Sequence, residues 1–215
     1  MFQNFDSYSK EWEQLAKMGN KRVCKPGEVI YMQGKKDIGL ICITRGKVKN
    51  SVYFSSGIEK VILILEAPAI TGETSVIDDK ETLVSAQALT EAEVVVVPAR
   101  EIRSLMQQNS RFMMLFLEIY AEKIRSLELQ AESIVLNTQQ KLARMLINFY
   151  SYGVFSRRSN SKVLTITHDQ LAGFLGTTRP KITSALSLFE SLGLIKRNRG
   201  VIEILDEKRL KEYYE

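Results

Sequence analysis

Histidine and cysteine are almost absent from this 215-residue sequence, which contains one histidine, His168, and two cysteines, Cys24 and Cys42. Two cysteines alone supply neither a disulfide framework nor the four ligands of a structural zinc site. A lone histidine without a nearby nucleophile or acidic cluster builds no catalytic triad, and no P-loop or dinucleotide-binding fingerprint occurs. These absences predict a protein that is not an enzyme and has no catalytic or metal-binding residues.

Long apolar runs are also missing. No stretch of eighteen consecutive apolar residues occurs, so no membrane span is expected. Residues 1–17 mix acidic and aromatic side chains and lack the apolar core of a secretory signal. We therefore expect a cytoplasmic protein without a membrane partner.

The whole chain has a formal net charge of +5, and the positive charge is concentrated in its C-terminal third. Residues 137–215 contain 13 Lys and Arg against 7 Asp and Glu, whereas residues 1–136 contain 17 against 18. A basic segment beside a nearly neutral one favours contact with nucleic acid, because cationic side chains release the counterions of phosphates.

The most informative stretch is Thr165–Leu205, which predicts two short helices followed by a basic hairpin. Thr167 suits an N-cap, Gly176 suits a left-handed helix end, and Pro180 fits the first turn of the second helix. Apolar residues spaced three to four apart predict the buried faces: Leu171, Ala172, Phe174, Leu175, Ile182, Ala185, Leu186 and Phe189. Two such helices joined by a glycine turn are typical of a helix-turn-helix, and the hairpin around residues 197–200 is typical of its wing.

We predict that this stretch binds double-stranded DNA. Arg179 stands at the start of the second helix, where a side chain can reach a guanine in the major groove. The other predicted DNA-contacting residues are basic or hydroxylic: Thr177, Thr178, Lys181, Thr183, Ser184, Arg197 and Arg199. His168, at the start of the first helix, is expected to be a surface or capping residue.

The N-terminal half has the pattern of many short strands. Six β-branched and apolar runs are separated by turn signals: Val29–Met32, Leu40–Ile43, Val48–Phe54, Val61–Leu65, Leu83–Ala88 and Glu93–Val97. This pattern predicts an antiparallel roll. Short helices are predicted before and after it, over residues 5–20 and Ala99–Gln108.

Ser110–Leu136 predicts one long helix with a narrow apolar seam. Two sets of residues repeat every seven positions: Leu117, Ile124 and Ala131, and Tyr120, Leu127 and Ile134. Such heptads predict a parallel coiled coil and hence a homodimer, the alternative being a helix that packs only within its own subunit. Residues 137–140 are interpreted as a polar hinge, Lys141–Tyr150 as a helix and Tyr152–Lys162 as a loop.

The order of these parts resembles the Crp/Fnr superfamily of bacterial transcription regulators (cyclic-AMP receptor protein and fumarate-nitrate regulator). The resemblance in the roll rests on turn and Gly-Glu motifs: Pro26-Gly27-Glu28, Gly34, Arg45-Gly46-Lys47 and Gly72-Glu73. In the C-terminal part it rests on these residues: Leu171, Ala172, Gly176, Thr178, Arg179, Ile182, Leu186, Phe189, Gly193, Leu194 and Ile195.

This resemblance implies an α+β fold with three parts. Residues 1–108 form the sensor domain, an N-terminal antiparallel β-roll like the jelly roll of cyclic-nucleotide-binding proteins. Residues 109–136 form a long dimerisation helix. Residues 137–215 form a C-terminal winged helix-turn-helix domain that binds DNA. The implied function is that of a homodimeric, effector-responsive regulator that acts on near-palindromic promoter sites with RNA polymerase. Whether it activates or represses is left open.

The sequence departs from the nucleotide-binding members of the superfamily in the sensor domain. Those members carry an arginine shortly after the Gly-Glu pair, and no arginine lies between Glu73 and Pro98 here. Only half of their adenine-contacting pair remains, at Ser126-Leu127. Because a buried phosphodiester without a paired cation is costly, we expect a small organic effector rather than cyclic AMP. The alternative is a cyclic nucleotide bound by Lys80 or Lys123.

The predicted effector-binding residues are Gly72, Glu73, Thr74, Leu83, Val84, Tyr120, Lys123, Ile124 and Leu127. Ile70 and Val76 are expected to add apolar surface to the same pocket. Neither haem nor an iron–sulfur cluster is expected, because histidine is absent from the roll and long helix and only one cysteine lies near the N-terminus. That cysteine, Cys24, offers a second alternative, a redox switch, since its neighbours Arg22 and Lys25 favour a thiolate. Cys42 is predicted to be buried and inert.

Overall fold

The computed structural model of the chain describes residues 6–57, 59–149, 154–155 and 162–215. Two sheets form the N-terminal roll. The first contains β1 (Asn20–Cys24), β3 (Leu40–Arg45), β6 (Ala69–Thr71) and β8 (Ala92–Val97), in the order β1-β8-β3-β6. The second contains β2 (Val29–Tyr31), β4 (Lys47–Tyr53), β5 (Glu59–Glu66), β7 (Ser85–Ala88) and β9 (Val154–Phe155), in the order β2-β7-β4-β5-β9.

Apolar side chains from both sheets form one core between them. Ile43, Val48, Leu65 and Val94 are each 1% exposed or less and belong to the same cluster. β-Branched residues suit such a core because they pack well on a pleated, buried surface. The predicted roll and its six predicted strands are confirmed, with ends displaced by one or two residues.

Three strands of the roll were not predicted: β1, β6 and β9, the last of which falls within the predicted loop 152–162. β1 has the sequence NKRVC and exposes four of its five residues, so it lacks the alternating apolar pattern that would mark it as a strand. β6 is only three residues long and lies between a proline and a glycine, which reads as a turn. β1 pairs with β8 through five residues, and β6 pairs with β3 through three.

Three short helices pack on the roll: α1 (Ser9–Leu15), α2 (Glu73–Asp78) and α3 (Ala99–Gln108). α1 buries Trp12 and Leu15 in the same cluster as residues of α3. The predicted helix over residues 5–20 is shorter in the structure because Asn20 already begins β1, and Phe5 lies outside the described residues. α2 was not predicted, whereas α3 has its predicted bounds.

The long helix α4 (Ser110–Glu132) divides its apolar residues between two faces. One face is buried on the roll through Phe112, Leu115, Phe116 and Ile119. Most of the predicted seam is open: Leu117 and Ile124 are 52% exposed, Leu127 is 45% exposed, and Ile134, in the turn after α4, is 73% exposed. Tyr120 is the exception, since it is half-buried against the cluster that faces the roll. Packing within the subunit therefore accounts for one face of α4 and leaves most of the seam uncovered.

The chain changes direction between α4 and the next helix, α5 (Thr138–Ile147). α4 ends four residues before the predicted Leu136, because Ser133–Val135 form a 3-10 turn and Leu136 is extended. The predicted hinge residues 137–140 have a more specific role: Asn137 and Gln140 form a reciprocal capping box that starts α5. α5 begins three residues earlier than predicted, and Tyr150 lies outside the described residues.

The C-terminal domain completes the fold with α6 (His168–Leu175), α7 (Arg179–Ser191), α8 (Glu207–Lys211) and a small sheet. Its strands are β10 (Val163–Thr165), β11 (Ile195–Asn198) and β12 (Val201–Ile204), in the order β10-β12-β11. The predicted wing hairpin is confirmed, and β10 extends it. Most of the predicted loop 152–162 lies outside the described residues, but within it β9 runs as a strand parallel to β5.

None of the helices in the described ranges combines the length and the apolar character needed to cross a lipid bilayer.

Candidate DNA-binding surface and effector cavity

Local sequence signals fix the two helices of the helix-turn-helix. The Thr167 hydroxyl accepts a hydrogen bond from the Gln170 amide, and the Gln170 side chain accepts one from the Thr167 amide, which forms a capping box at the start of α6. Gly176 ends α6 in the left-handed region, at φ 60°, where a side chain would be strained. Pro180 lies in the first turn of α7 as predicted, while the N-cap Thr178 makes no side-chain capping bond.

The buried and exposed faces of α6 and α7 are those that the sequence predicted. All eight predicted inward residues are buried in the core of the domain. Arg179, Lys181, Thr183 and Ser184 are exposed along α7, and Thr178 precedes them on the surface. A nearby carboxylate faces the predicted base-reading residue, since Arg179 Nη1 lies 3.6 Å from Asp169 Oδ2 and both side chains are largely exposed. An exposed pair of this kind is weak and readily exchanged for a DNA contact.

The wing is joined to α7 by an ion pair that sequence reasoning missed. Glu190 Oε2 accepts from Nε and Nη2 of Arg197 at 2.9 and 2.6 Å, and Glu190 Oε1 accepts from the Arg197 amide at 2.9 Å. The guanidinium is only 23% exposed. The phosphate contact of Arg197 stays a prediction, and in the structure its bonds to Glu190 fix the wing relative to α7. Arg199 remains exposed at the hairpin turn.

A cavity of about 830 Å³ lies between the roll and α4. All nine predicted effector-binding residues line it, as does Lys80, which was named only for the nucleotide alternative. Sequence reasoning missed the remaining seven: Lys36, Asn50, Ile62, Leu63, Thr71, Asp78 and Glu81. Ile70 and Val76 lie instead in the buried cluster that α1, α3 and α4 share with the roll. Asn50 is only 4% exposed, but its neighbours Lys49 and Ser51 are also polar, so no sequence signal marked its burial.

Gly72 allows the turn that brings the wall of this cavity close to the neighbouring strand. Its φ is 82°, and a Cβ at this position would lie 2.8 Å from the Gly39 carbonyl oxygen. A larger residue would therefore be strained by its backbone and would also collide with a fixed carbonyl. The glycine thus places Glu73, the first residue of α2, against α4.

A buried ion pair joins α4 to this wall. Lys123 Nζ donates to Glu73 Oε1 at 2.7 Å and to the Ile70 carbonyl at 3.1 Å. Both side chains are at most 8% exposed. The second Glu73 oxygen, Oε2, and the Asn50 amide oxygen, Oδ1, are buried without a hydrogen-bond partner in the described part of the chain. Lys123 is therefore paired within the protein, and the two unpaired acceptor oxygens are buried in the wall of the cavity.

Aromatic and charged residues complete the lining. Burial, together with the carboxylates of Glu73 and Asp78, raises the pKa of the Tyr120 phenol, so the phenol stays neutral. The charged lining residues balance each other: Lys36, Lys80 and Lys123 face Glu73, Asp78 and Glu81.

No cation in the cavity is both buried and unpaired among the described residues. The position where the nucleotide-binding pattern places its arginine falls at Thr82-Leu83 or Leu83-Val84. Lys123 is already bound to Glu73, and Lys80 is 79% exposed beside Asp78. A cyclic nucleotide would have to break the buried pair to obtain a buried cation.

Cys24 does not have the environment of a redox sensor. It is fully buried, and burial raises the pKa of its thiol despite the opposing effect of Arg22. A thiolate is therefore disfavoured, which corrects the sequence-based interpretation of its basic neighbours. Cys42 is buried as predicted, and burial raises the pKa of its thiol to about 12.

The DNA-binding domain packs directly on β5 of the roll. Val61 and Ile64 belong to the core cluster of the C-terminal domain, and Lys60 Nζ donates to the Phe174 carbonyl near the end of α6. Gly173 permits this approach, since a Cβ there would lie 3.0 Å from Val61 Cγ2. Burial and the charge of Lys141 lower the pKa of Lys60 to about 8.

Comparisons with known proteins agree with this architecture. Residues 21–109 match the cyclic nucleotide-binding domain, and residues 140–213 match the Crp-like helix-turn-helix domain. A "Cyclic AMP receptor protein" from Thermus thermophilus is 21% identical over 89% of this chain and 87% of its own length. The "Transcriptional regulatory protein btr" of Bordetella pertussis is 25% identical over 95% of this chain and 85% of its own.

Among solved structures, a CooA variant from Carboxydothermus hydrogenoformans has the same fold, with a TM-score of 0.79 and 16% identity. The match covers 100% of this chain and 95% of the CooA chain. The fold and site define a DNA-binding transcription regulator with a sensor roll of the cyclic nucleotide-binding type. The chain belongs to the Crp/Fnr superfamily, whose matched members are transcription regulators and not enzymes.

The buried pair generates a first prediction. Lys123→Met leaves Glu73 buried without its cation, so we expect it to lower the free energy of unfolding by about 3–5 kcal/mol. The double variant Lys123→Met/Glu73→Leu removes both charges and should recover most of this loss. Urea unfolding monitored by circular dichroism measures both.

Lys80→Met is the matched control, because Lys80 lines the same cavity but is 79% exposed. It should change the free energy of unfolding by no more than about 0.5 kcal/mol. Equal losses for the single and double variants would contradict a stabilising Lys123–Glu73 pair.

Proposed function

We propose that this protein is a homodimeric, effector-responsive transcription regulator that binds near-palindromic DNA. One observation carries the proposal: Ile124 and Leu127 line the cavity and also belong to the exposed seam of α4. A ligand in the cavity would therefore touch the surface through which two subunits pair. The dimer, the effector and the output domain are then connected through one helix.

The dimer is supported by the seam itself. Its residues follow two heptad positions along α4, whose 23 residues span roughly 35 Å, and the last of them, Ile134, lies in the 3-10 turn that follows. Several other exposed apolar side chains flank the seam: Met113, Met114 and Val135. A parallel pairing of two α4 helices removes these side chains from water and places two DNA-binding domains at the same end of the dimer.

Recognition would follow the helix-turn-helix geometry. In a two-fold dimer, the two α7 helices enter successive major grooves about 34 Å apart. Arg179 reads a guanine, while Thr177, Thr178, Lys181, Thr183, Ser184 and Arg199 contact phosphates or neighbouring bases. Pro180 and Ser184 stand where the superfamily has further base-reading residues, so the half-site differs from the usual one.

The effector would be a small, mainly apolar organic molecule that donates hydrogen bonds. Asn50 Oδ1 and Glu73 Oε2 are buried acceptors, so an effector whose N–H or O–H group reached them after a local rearrangement would remove a cost of about 1–3 kcal/mol. The bound Lys123 disfavours an anion. We propose no haem or iron–sulfur cofactor. We also propose no redox switch, because Cys24 is buried.

Effector binding would change how the α4 helices pair, and the change would reach α7 through the turn at Asn137. A shift from 1% to 99% of the active form requires about 5.5 kcal/mol of differential binding. RNA polymerase in the bacterial cytoplasm is the proposed further partner, supported by the regulators that this chain resembles.

Base reading by Arg179 gives a second prediction. Arg179→Ala should reduce discrimination between selected and random DNA by about 1–3 kcal/mol, because the bidentate guanine contact is lost. Nonspecific binding should persist and keep its salt dependence. Competition binding with both DNAs measures the ratio, and Lys181→Ala is the control, expected to weaken both affinities similarly. A uniform loss for Arg179→Ala would contradict base reading.

Dimerisation gives a third prediction. Ile124→Lys and Leu127→Lys should each convert the protein to monomers, because a charge would be buried in the seam. Analytical ultracentrifugation gives the mass. Arg125→Glu, an exposed change outside the seam on the same helix, should leave the dimer intact. Dimers of normal mass for both lysine variants would rule out this seam.

The cavity chemistry gives a fourth prediction. Cyclic AMP at micromolar concentration should leave the melting temperature unchanged, because no free buried cation receives its phosphate. Differential scanning fluorimetry tests this directly. A rise of several degrees in the wild-type protein, lost in Lys123→Met, would show that the nucleotide displaces Glu73 and would overturn this account of the cavity.

A further inference from the structure

The single histidine of the chain bridges the two helices of the helix-turn-helix. His168 is the first residue of α6, and its Nδ1 lies 2.9 Å from Oγ1 of Thr183 in α7. The Thr183 hydroxyl donates its only proton to the Arg179 carbonyl at 3.0 Å. Thr183 must therefore accept from His168, which places a proton on Nδ1 and leaves Nε2 bare in the neutral ring.

Charged groups from three elements face this ring. Arg179 belongs to α7, Arg197 to β11 and Asp169 to α6 itself. Burial, followed by the charges of Arg197 and Arg179, lowers the pKa of His168 below its usual value of 6.5, with Asp169 opposing. Glu190 holds Arg197, and Asp169 lies beside Arg179, so both cations keep carboxylate partners. The ring is neutral at pH 7 in the free protein.

The position of His168 is that of a backbone contact. In a helix-turn-helix the first helix crosses the phosphate backbone while the second enters the major groove. His168 stands at the N-terminal end of that first helix and is bonded to the exposed face of α7 that carries Arg179. A protonated ring would present a new N–H at Nε2 without disturbing the bond from Nδ1 to Thr183.

We propose that His168 contacts a DNA phosphate through Nε2 and takes up a proton when the complex forms, so that DNA affinity increases as the pH falls. This inference rests on the proposed docking of α7 in the major groove. It goes further by adding a contact and by making the affinity depend on pH.

The direction of the pH dependence of DNA affinity follows from the negative charge of the phosphate. DNA favours the protonated ring, so the pKa of His168 is higher in the complex than in the free protein. Between the two values the complex holds more protons, and affinity rises as the pH falls through that interval. Folding stability has the opposite sign. Because the free folded pKa lies below 6.5, the unfolded chain holds more protons there and acid weakens the fold.

Two measurements test the proposal with one labelled DNA duplex at constant ionic strength. Fluorescence anisotropy between pH 5.5 and 7.5 should show binding about tenfold tighter at the acid end, the worth of one charge-assisted hydrogen bond. NMR titration of the one histidine ring should show a higher pKa in the complex than in the free protein. Equal or lower values in the complex would overturn the proposal.

His168→Asn is the matched variant, because its amide can still donate to Thr183 but does not titrate. Its affinity should be independent of pH, and at pH 5.5 it should be about tenfold weaker than that of the wild type. His168→Arg should bind at the acid level throughout. An unchanged pH dependence in His168→Asn, or a flat wild-type profile with normal affinity, would contradict the role of His168 alone. Failure of every protein to bind DNA would contradict the docking of α7 as well.

Discussion

The buried contact between Lys123 and Glu73 holds the sensor roll against the long helix. It joins residues 50 positions apart, one on α4 and one at the start of α2. Burying both charges costs desolvation free energy, and the close hydrogen bonds of the two groups offset that cost. For function, the consequence is that the ammonium group of Lys123 is already paired with a carboxylate of the protein. The proposal of an effector other than a cyclic nucleotide depends on this pair, because the fold around the cavity is that of a cyclic nucleotide-binding domain.

β5 gives the cavity a second connection to the DNA-binding domain. Ile62 and Leu63 line the cavity, while Val61 and Ile64 pack in the core of the C-terminal domain. The same strand receives a hydrogen bond from Gln130 of α4 to the Ile62 carbonyl at 3.0 Å. Movement of either β5 or α4 would therefore reach α6, through the packing of Gly173 on Val61 or through the turn at Asn137.

The sequence predicted the helix-turn-helix closely because its determinants are local. A capping box at Thr167, a left-handed Gly176 and a regular apolar spacing need no knowledge of distant residues. The nine cavity residues followed from the resemblance of the whole chain to a family. The determinants that were missed are distant in sequence or lack periodicity: the Lys123–Glu73 pair, the docking of β5 on α6, and the exposed strand β1. Sequence showed the basic neighbours of Cys24, but only the fold showed that its thiol is buried.

The central claim is that two copies of α7 read DNA from a symmetric dimer. Selection of bound sequences from a random DNA pool, followed by sequencing, tests it most directly. The account predicts one enriched motif with two-fold symmetry and half-site centres about 34 Å apart, one turn of the double helix. Enrichment of a single unpaired half-site, or no enrichment above the starting pool, would contradict it.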